Sequence, residues 1–348
     1  MAILEAPLRL RLDGDALARN WRALDRLSGD AACGAAVKAD GYGLGVTQVV
    51  PRLIDAGCRD FFVATWAEAL EIAEMTEGLS LTVFHGVRAA DMPTAKAGHA
   101  RPCLNSPEQV QRWQQMGGAP CDVMVDTGMN RLGLTPEQVS GGILKGLNVH
   151  TLMSHLACSD EPSHPLNRQQ REALAWIGER ASAKRLSLAN SAGVALGGDY
   201  AFGLTRPGLS LYGGIQVPRL ENEIASVVAV EAEVIQRRTA KAGETVGYGA
   251  TFRAPANTEL AILHIGYADG YLRGFSGSGM AHFGEVECPV VGRVSMDLIA
   301  VSVDACPQVA EGDWIAVDYD LPTAAAQSGL SQYELLTGLG RRYQRLWI

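Results

Sequence analysis

The sequence predicts an α/β fold, a TIM-like (β/α)8 barrel, followed by a mostly β C-terminal domain. Three observations carry this. Eight short apolar runs alternate with helical patterns over the first two-thirds of the 348 residues. Several of those helices start on recognisable N-caps. Beyond about residue 225 helical periodicity gives way to short strands joined by Gly/Asp turns, and it returns only near 323–340.

The eight strand candidates are AACGAAVK (31–38), FFVAT (61–65), LTVFHG (81–86), ARPCLN (100–105), CDVMVDT (121–127), VHTLMSHL (149–156), LSLANS (186–191) and FGLTRPG (202–208). Between them TWAE (65–68), SPEQ (106–109) and TPEQ (135–138) fit capping boxes, each with a hydroxyl facing a Glu or Gln three residues on. Pro107 and Pro136 stand at the first helical position, where a missing N–H costs nothing. Strands alternating with helices imply a parallel sheet, and eight such units fit a closed barrel near its lower size limit. An open doubly wound sheet is the rival, but GYGLG (41–45) lacks the spacing of a dinucleotide fingerprint. The barrel is expected over 9–225. The second domain is expected over 226–348, with residues 1–8 as candidates to join it.

Composition narrows the function. A net charge of −8 without a Lys/Arg-rich run argues against a nucleic-acid partner. The start MAILEAPLRLRLDGD lacks the basic-then-apolar order of a secretory signal, and no stretch of about 18 apolar residues suggests a membrane span. Seven scattered cysteines form no CxxC pair, so no metal site is expected and reduced thiols in a cytoplasmic protein are.

In a barrel of this type functional groups project from the C-terminal strand ends. Reading only those positions gives Lys38, Arg131, His155, Asn190 with Ser191, and Arg206 followed by Gly208 and Leu209. A lysine directly after AAV is desolvated, which lowers its pKa and suits Schiff-base chemistry, although a strand-end lysine can equally reach solvent. Ser191, Gly208 and Tyr42 are suited to hold a phosphate, since glycine lets the backbone approach and N–H groups attract an anion. They equally suit plain turns. Arg206 is permanently protonated; facing a pyridine nitrogen, it would exclude a proton there and weaken the ring as an electron sink. The second domain offers Tyr248 in VGYGATFRA, Tyr267 in IGYADGYLR, Met296 in SMD and Tyr343 in GRRYQRLW.

Together VKADGYGLG, VDTGMNRLGL, SHLACSDEPSHPLNRQ, ANSAG, RPGLSLYGG, VGYGATFRA, IGYADGYLR and GRVSMD resemble the alanine racemase family, in the family's order from residue 37 to about 297. The resemblance implies pyridoxal 5'-phosphate carried covalently on Lys38, which also serves as one of two bases. Tyr248 is then the second base, supplied by the partner in a head-to-tail homodimer. Tyr42, Ser191, Gly208, Leu209 and Tyr343 match phosphate-binding positions, with Asn190 beside them. Arg206 matches the residue facing the pyridine nitrogen, and His155 a ring neighbour that hydrogen-bonds an arginine or tyrosine. Arg131 matches an arginine that contacts the substrate carboxylate or a cofactor oxygen, Met296 matches a partner-chain residue whose backbone meets the carboxylate, and Tyr267 with Tyr343 narrows the entrance. Two bases on opposite faces make chemical sense, because racemisation removes a proton from one face and returns it to the other. Tyrosine is a weak base at its reference pKa of about 10, so cations at Arg131 and His155 are expected to help Tyr248 ionise.

One departure stands out. Some family members carry a carbamylated lysine seven residues before the position of Arg131; here Met124 stands there and cannot carry one. The expected activity is interconversion of L- and D-alanine, for peptidoglycan precursors or alanine catabolism. The alternatives are a broader-specificity racemase acting on serine or larger side chains, and a non-catalytic cofactor-binding barrel.

Overall fold

The computed structural model describes residues 6–348; residues 1–5, part of the segment that was a candidate to join the second domain, lie outside the described residues. The chain forms two compact units: Leu17–Ala225, and the chain up to Ala16 together with Ser226–Ile348.

In Leu17–Ala225 all eight expected strands form. They are Ala32–Cys33 with Ala35–Ala36, then Asp60–Val63, Ser80–Val83, Arg101–Leu104, Pro120–Met124, Asn148–Met153, Ala183–Ser187 and Leu204–Thr205. Every neighbouring pair is parallel. The first strand is broken at Gly34. One half pairs with the eighth strand and the other with the second, so the sheet returns on itself as a barrel. The junction requires glycine: a side chain at Gly34 would lie 2.8 Å from the Phe62 ring. An open doubly wound sheet is thereby excluded.

Helix starts follow their caps. Thr65 and Thr135 make full capping boxes with Glu68 and Gln138. Ser106 caps Gln109, but the Gln109 side chain reaches the Asn105 N–H (3.0 Å), one residue earlier than the box requires. The seventh strand ends at Ser187, short of the expected 191, because Asn190 is already the N-cap of the helix Ser191–Ala195.

The other unit is built on the 13-residue strand Val228–Ala240. It pairs with Thr258–Leu263 on one part of its length and with Trp314–Val317 and Leu8–Leu12 on another. With Met280–Phe283, Val286–Val291 and Ile299–Ser302 between them, these strands curl into a closed, mainly antiparallel sheet. A register shift between Val234 and Gln236 lets the long strand bend. LRLRL (8–12) buries Leu8, Leu10 and Leu12 and turns its arginines outward, the period-2 pattern of a half-buried strand. It therefore belongs to this sheet, so the expected start of the barrel at residue 9 falls inside a strand of the second unit. Among the described residues no helix is long and apolar enough to cross a membrane. Six of the seven cysteines are buried, as small hydrophobes, and Cys158 is half-buried.

Candidate active site

Lys38 follows the first barrel strand and opens an unusual turn. Ala39, Asp40, Gly41 and Tyr42 all have positive φ, from 54° to 60°. Non-glycine residues there cost of order 1 kcal/mol or more each, so the turn must be held from outside. The Ala39 N–H donates to Glu68 Oε1 (2.9 Å), and Asp40 Oδ1 accepts the Val46 N–H (2.7 Å). Glu68 Oε2 also accepts the N–H groups of Ala64 (2.6 Å) and Thr65 (3.2 Å). One carboxylate thus ties the tips of the first two strands.

The lysine lines a cavity of about 330 Å³ at the C-terminal strand ends, together with Phe84, Met124, Asp126, Arg131, Ser154, His155 and Arg206. Its ammonium nitrogen lies 6.0 Å from the centre of the Phe84 ring. Burial, then the Arg131 cation, push the Lys38 pKa below its ordinary value, against the opposing pull of Glu68. The neutral amine is thereby easier to reach, as a nucleophile or a proton acceptor requires.

Arg206 closes the cavity floor. It is buried, and its guanidinium donates to the Ser154 carbonyl (2.6 Å) and to the Ser187 hydroxyl. Burial lowers its pKa to about 10, which still leaves it a cation at neutral pH. His155 lines the same cavity and is half-buried. Burial first, then the charges of Arg206, Arg131 and Lys38, push its pKa down to about 3. The imidazole is therefore neutral, and the positive charge expected of it near Tyr248 is absent. Cations already crowd the pocket, and a further buried charge there is too costly.

A second cluster gathers Tyr42, Asn190, Ser191, Gly208 and Leu209. Ser191 Oγ accepts the N–H groups of Gly208 (2.9 Å) and Ser210 (3.1 Å). A side chain at Gly208 would collide with the Tyr42 hydroxyl, so only glycine allows that approach. Tyr42 is fixed by stacking on Tyr212, 4.7 Å between ring centres. Leu209 is buried and opens the turn that follows Gly208. The Asn190 side-chain oxygen accepts from the Gly193 N–H (2.8 Å) and the Ser159 hydroxyl (2.9 Å). It is committed to holding Ser191 in place.

In the second unit Tyr248 sits in the loop joining Thr245–Val246 to Phe252–Arg253, between Gly247 and Gly249, and is 68% exposed. The Tyr267 and Ala268 N–H groups donate to the carbonyls of Ser295 and Met296, both at 3.0 Å. Asp269, fully buried, accepts the Gly266 N–H (3.0 Å) and a two-pronged contact from Arg342 (2.6 and 2.7 Å); Arg342 also reaches Asp297 (2.7 Å). Tyr343 is buried next to this clamp, and its hydroxyl finds no hydrogen-bond partner among the described residues.

Comparison with known proteins decides the family. Residues 12–216 match the alanine racemase N-terminal domain model and residues 227–347 the C-terminal domain model. The chain belongs to the alanine racemase family. It is an enzyme of the isomerase class. It is 43% identical to an alanine racemase of Cereibacter sphaeroides, with 98% of each chain covered. It is 39% identical to a biosynthetic alanine racemase of Agrobacterium fabrum, covering 100% of this chain and 95% of that one. Alanine racemase from Bartonella henselae with covalently bound pyridoxal phosphate superposes with a TM-score of 0.93 at 33% identity, covering 99% of this chain and 100% of that one.

Three further residues hold the backbone around this cavity and are not among the site residues expected from the sequence: Glu68, Asp126 and Gln170. Gln170, fully buried, donates to the His155 carbonyl (2.8 Å) and the Thr127 hydroxyl (3.2 Å), and accepts the Ala157 N–H (2.9 Å). Thr127 in turn shares a hydrogen bond with the Ser154 hydroxyl (2.6 Å). Glu68 has a local signal only as the capping-box partner of Thr65, and Asp126 only through the turn-forming D-T-G-M-N; Gln170 has none.

Proposed function

We propose that this enzyme interconverts L- and D-alanine with pyridoxal 5'-phosphate held covalently on Lys38. The carrying observation is the Lys38 amine, lowered in pKa, in a cavity it shares with Arg206, His155 and Arg131. The residues fit the cofactor. An amine poised to condense stands at one end, a permanently charged guanidinium is at the floor, and a glycine-walled cradle of Tyr42, Ser191 and Gly208 suits a phosphate. Bound there, pyridoxal phosphate supplies the electron sink that makes the Cα–H bond of an amino acid labile.

The chain's own residues do the rest. Lys38 Nζ takes or returns a proton on one face of the substrate. Tyr248 Oη does so on the other, from a second copy of the chain; its exposure leaves it available to such a partner. Arg131 binds the substrate carboxylate as a fixed cation. The Met296 backbone, held by Ala268, and Tyr267 shape the approach, and Tyr343 offers a buried hydroxyl to a further polar group. Arg206 would face the ring nitrogen of the bound cofactor and donate a hydrogen bond to it while keeping its own proton, which would limit charge delocalisation and favour prompt reprotonation. The likeness to a biosynthetic relative supports a role in making D-alanine for peptidoglycan.

The test is chiral chromatography of L-alanine, L-serine and L-arginine after incubation with the purified protein. The reading expects racemisation of alanine at a kcat/KM well above the other two. Equal or greater turnover of serine or arginine points to the broader-specificity enzyme, and no turnover of any rejects catalysis.

A further inference from the structure

The Arg131 side chain lines the cavity with Lys38, yet among the described residues its guanidinium makes no hydrogen bond or ion pair to a side chain. Among the described residues, no side chain fixes it. Only its backbone does. We propose that Asp126 is the positioning residue for Arg131.

The geometry is specific. Asp126 Oδ1 accepts three successive backbone N–H groups, from Gly128 (2.9 Å), Met129 (2.9 Å) and Asn130 (3.0 Å). Oδ2 accepts the fourth, from Arg131 itself (3.1 Å). The carboxylate therefore organises the whole turn, including Asn130 at φ 55°, a conformation that needs such support. The loop base is pinned separately. The Asp126 N–H donates to the Leu134 carbonyl and the Leu134 N–H to that of Met124, both at 2.9 Å. Gly133 leaves the necessary room, because a side chain there would meet the Asp126 backbone. With the base held by backbone bonds, the Asp126 carboxylate is left to set the loop's tip, and Arg131 is at that tip.

This takes from the proposed function only that Arg131 acts in the Lys38 cavity. The test has one readout on the holoenzyme and one independent of the reaction. Asp126→Asn keeps the side chain's shape but places an amide N–H2 against one set of the four donors. In the loaded enzyme it should raise the KM for alanine by about tenfold, the worth of one charge-assisted contact, with a smaller change in kcat.

The second readout uses the full-length chain freed of cofactor and labelled with [13Cε]lysine. Only five lysines are present, and the Lys38 signal is assigned by its loss in Lys38→Ala. The groups facing Lys38 are Arg131, Glu68 and the neutral His155. If Asp126→Asn lets Arg131 drift, the Lys38 midpoint rises toward its ordinary value, as in Arg131→Ala, and the double variant Asp126→Asn/Arg131→Ala rises no further. If Asp126 acted instead as a bare negative charge near Lys38, the midpoint would fall. A fall, an unchanged midpoint or a further rise in the double variant overturns the proposal. So does a folded Asp126→Asn enzyme with wild-type KM. If alanine is not the substrate, the KM arm fails while the lysine titration still decides the positioning role.

Discussion

The Ser191 hydroxyl oxygen accepts the Gly208 N–H at 2.9 Å, bridging the tips of the seventh and eighth barrel strands. The same oxygen takes the Ser210 N–H, so one side chain satisfies two buried donors. Ser191→Ala strands both, at about 1–3 kcal/mol for each unsatisfied group, discounted if the backbone relaxes. Fluorescence titration with pyridoxal phosphate is expected to show affinity lowered at least tenfold, together with a lower Tm. Unchanged affinity would remove Ser191 from the cradle.

His155 gives a pH signature. Its pKa in the fold is about 3, against an ordinary value near 6.5, so the unfolded chain binds more protons between the two. Stability contributed by this group is whole above pH 6.5 and is lost as pH falls toward 3. The slope approaches about 1.4 kcal/mol per pH unit at its steepest. In a plot of Tm against pH, His155→Gln should flatten the acid limb relative to the parent. Parallel curves would mean the imidazole is not held neutral.

Arg342 is the only cation bonded to the buried Asp269 among the described residues. Arg342→Leu leaves that carboxylate enclosed and lacking its two-pronged partner. With the arginine partly exposed, a loss of about 2–3 kcal/mol is expected in urea unfolding, below the range for fully buried pairs. Asp269→Asn/Arg342→Leu should recover part of it. A loss within about 0.5 kcal/mol would show that solvent replaces the clamp.

Tyr248→Phe removes the hydroxyl and little else, because the ring is exposed. Solvent deuterium incorporation starting from each enantiomer should become unequal, with one direction slowed by at least about tenfold, within the range for a lost acid–base group. Mild, equal slowing in both directions would exclude Tyr248 as a base.

The barrel was legible because its strands are apolar runs set between helix caps, and both features are local. The seventh strand's end was misplaced because ANS looks like a strand continuation until Asn190 is seen capping a helix. LRLRL at 8–12 is hard to read as a strand, because five alternating residues carry little signal without their partners, Val228–Ala240 and Gln344–Trp347. Lys38, Arg206 and His155 could be picked out as strand-end residues, but the neutrality of His155 depends on which cations surround it in space. The long-range contacts of Glu68 and Gln170 are not legible in the sequence for a different reason. Both residues act by accepting and donating to the backbone of distant segments, and such bonds leave no spacing pattern. Glu68 was read as half of a capping box, which it is, while its second oxygen binds Ala39.

The covalent attachment of the cofactor is tested most directly by borohydride reduction of the purified protein followed by peptide mass spectrometry. The account predicts the pyridoxyl label on the peptide carrying Lys38 and no label in Lys38→Ala. A label on Lys96, Lys145, Lys184 or Lys241 instead, or none on a protein that racemises alanine, would contradict it.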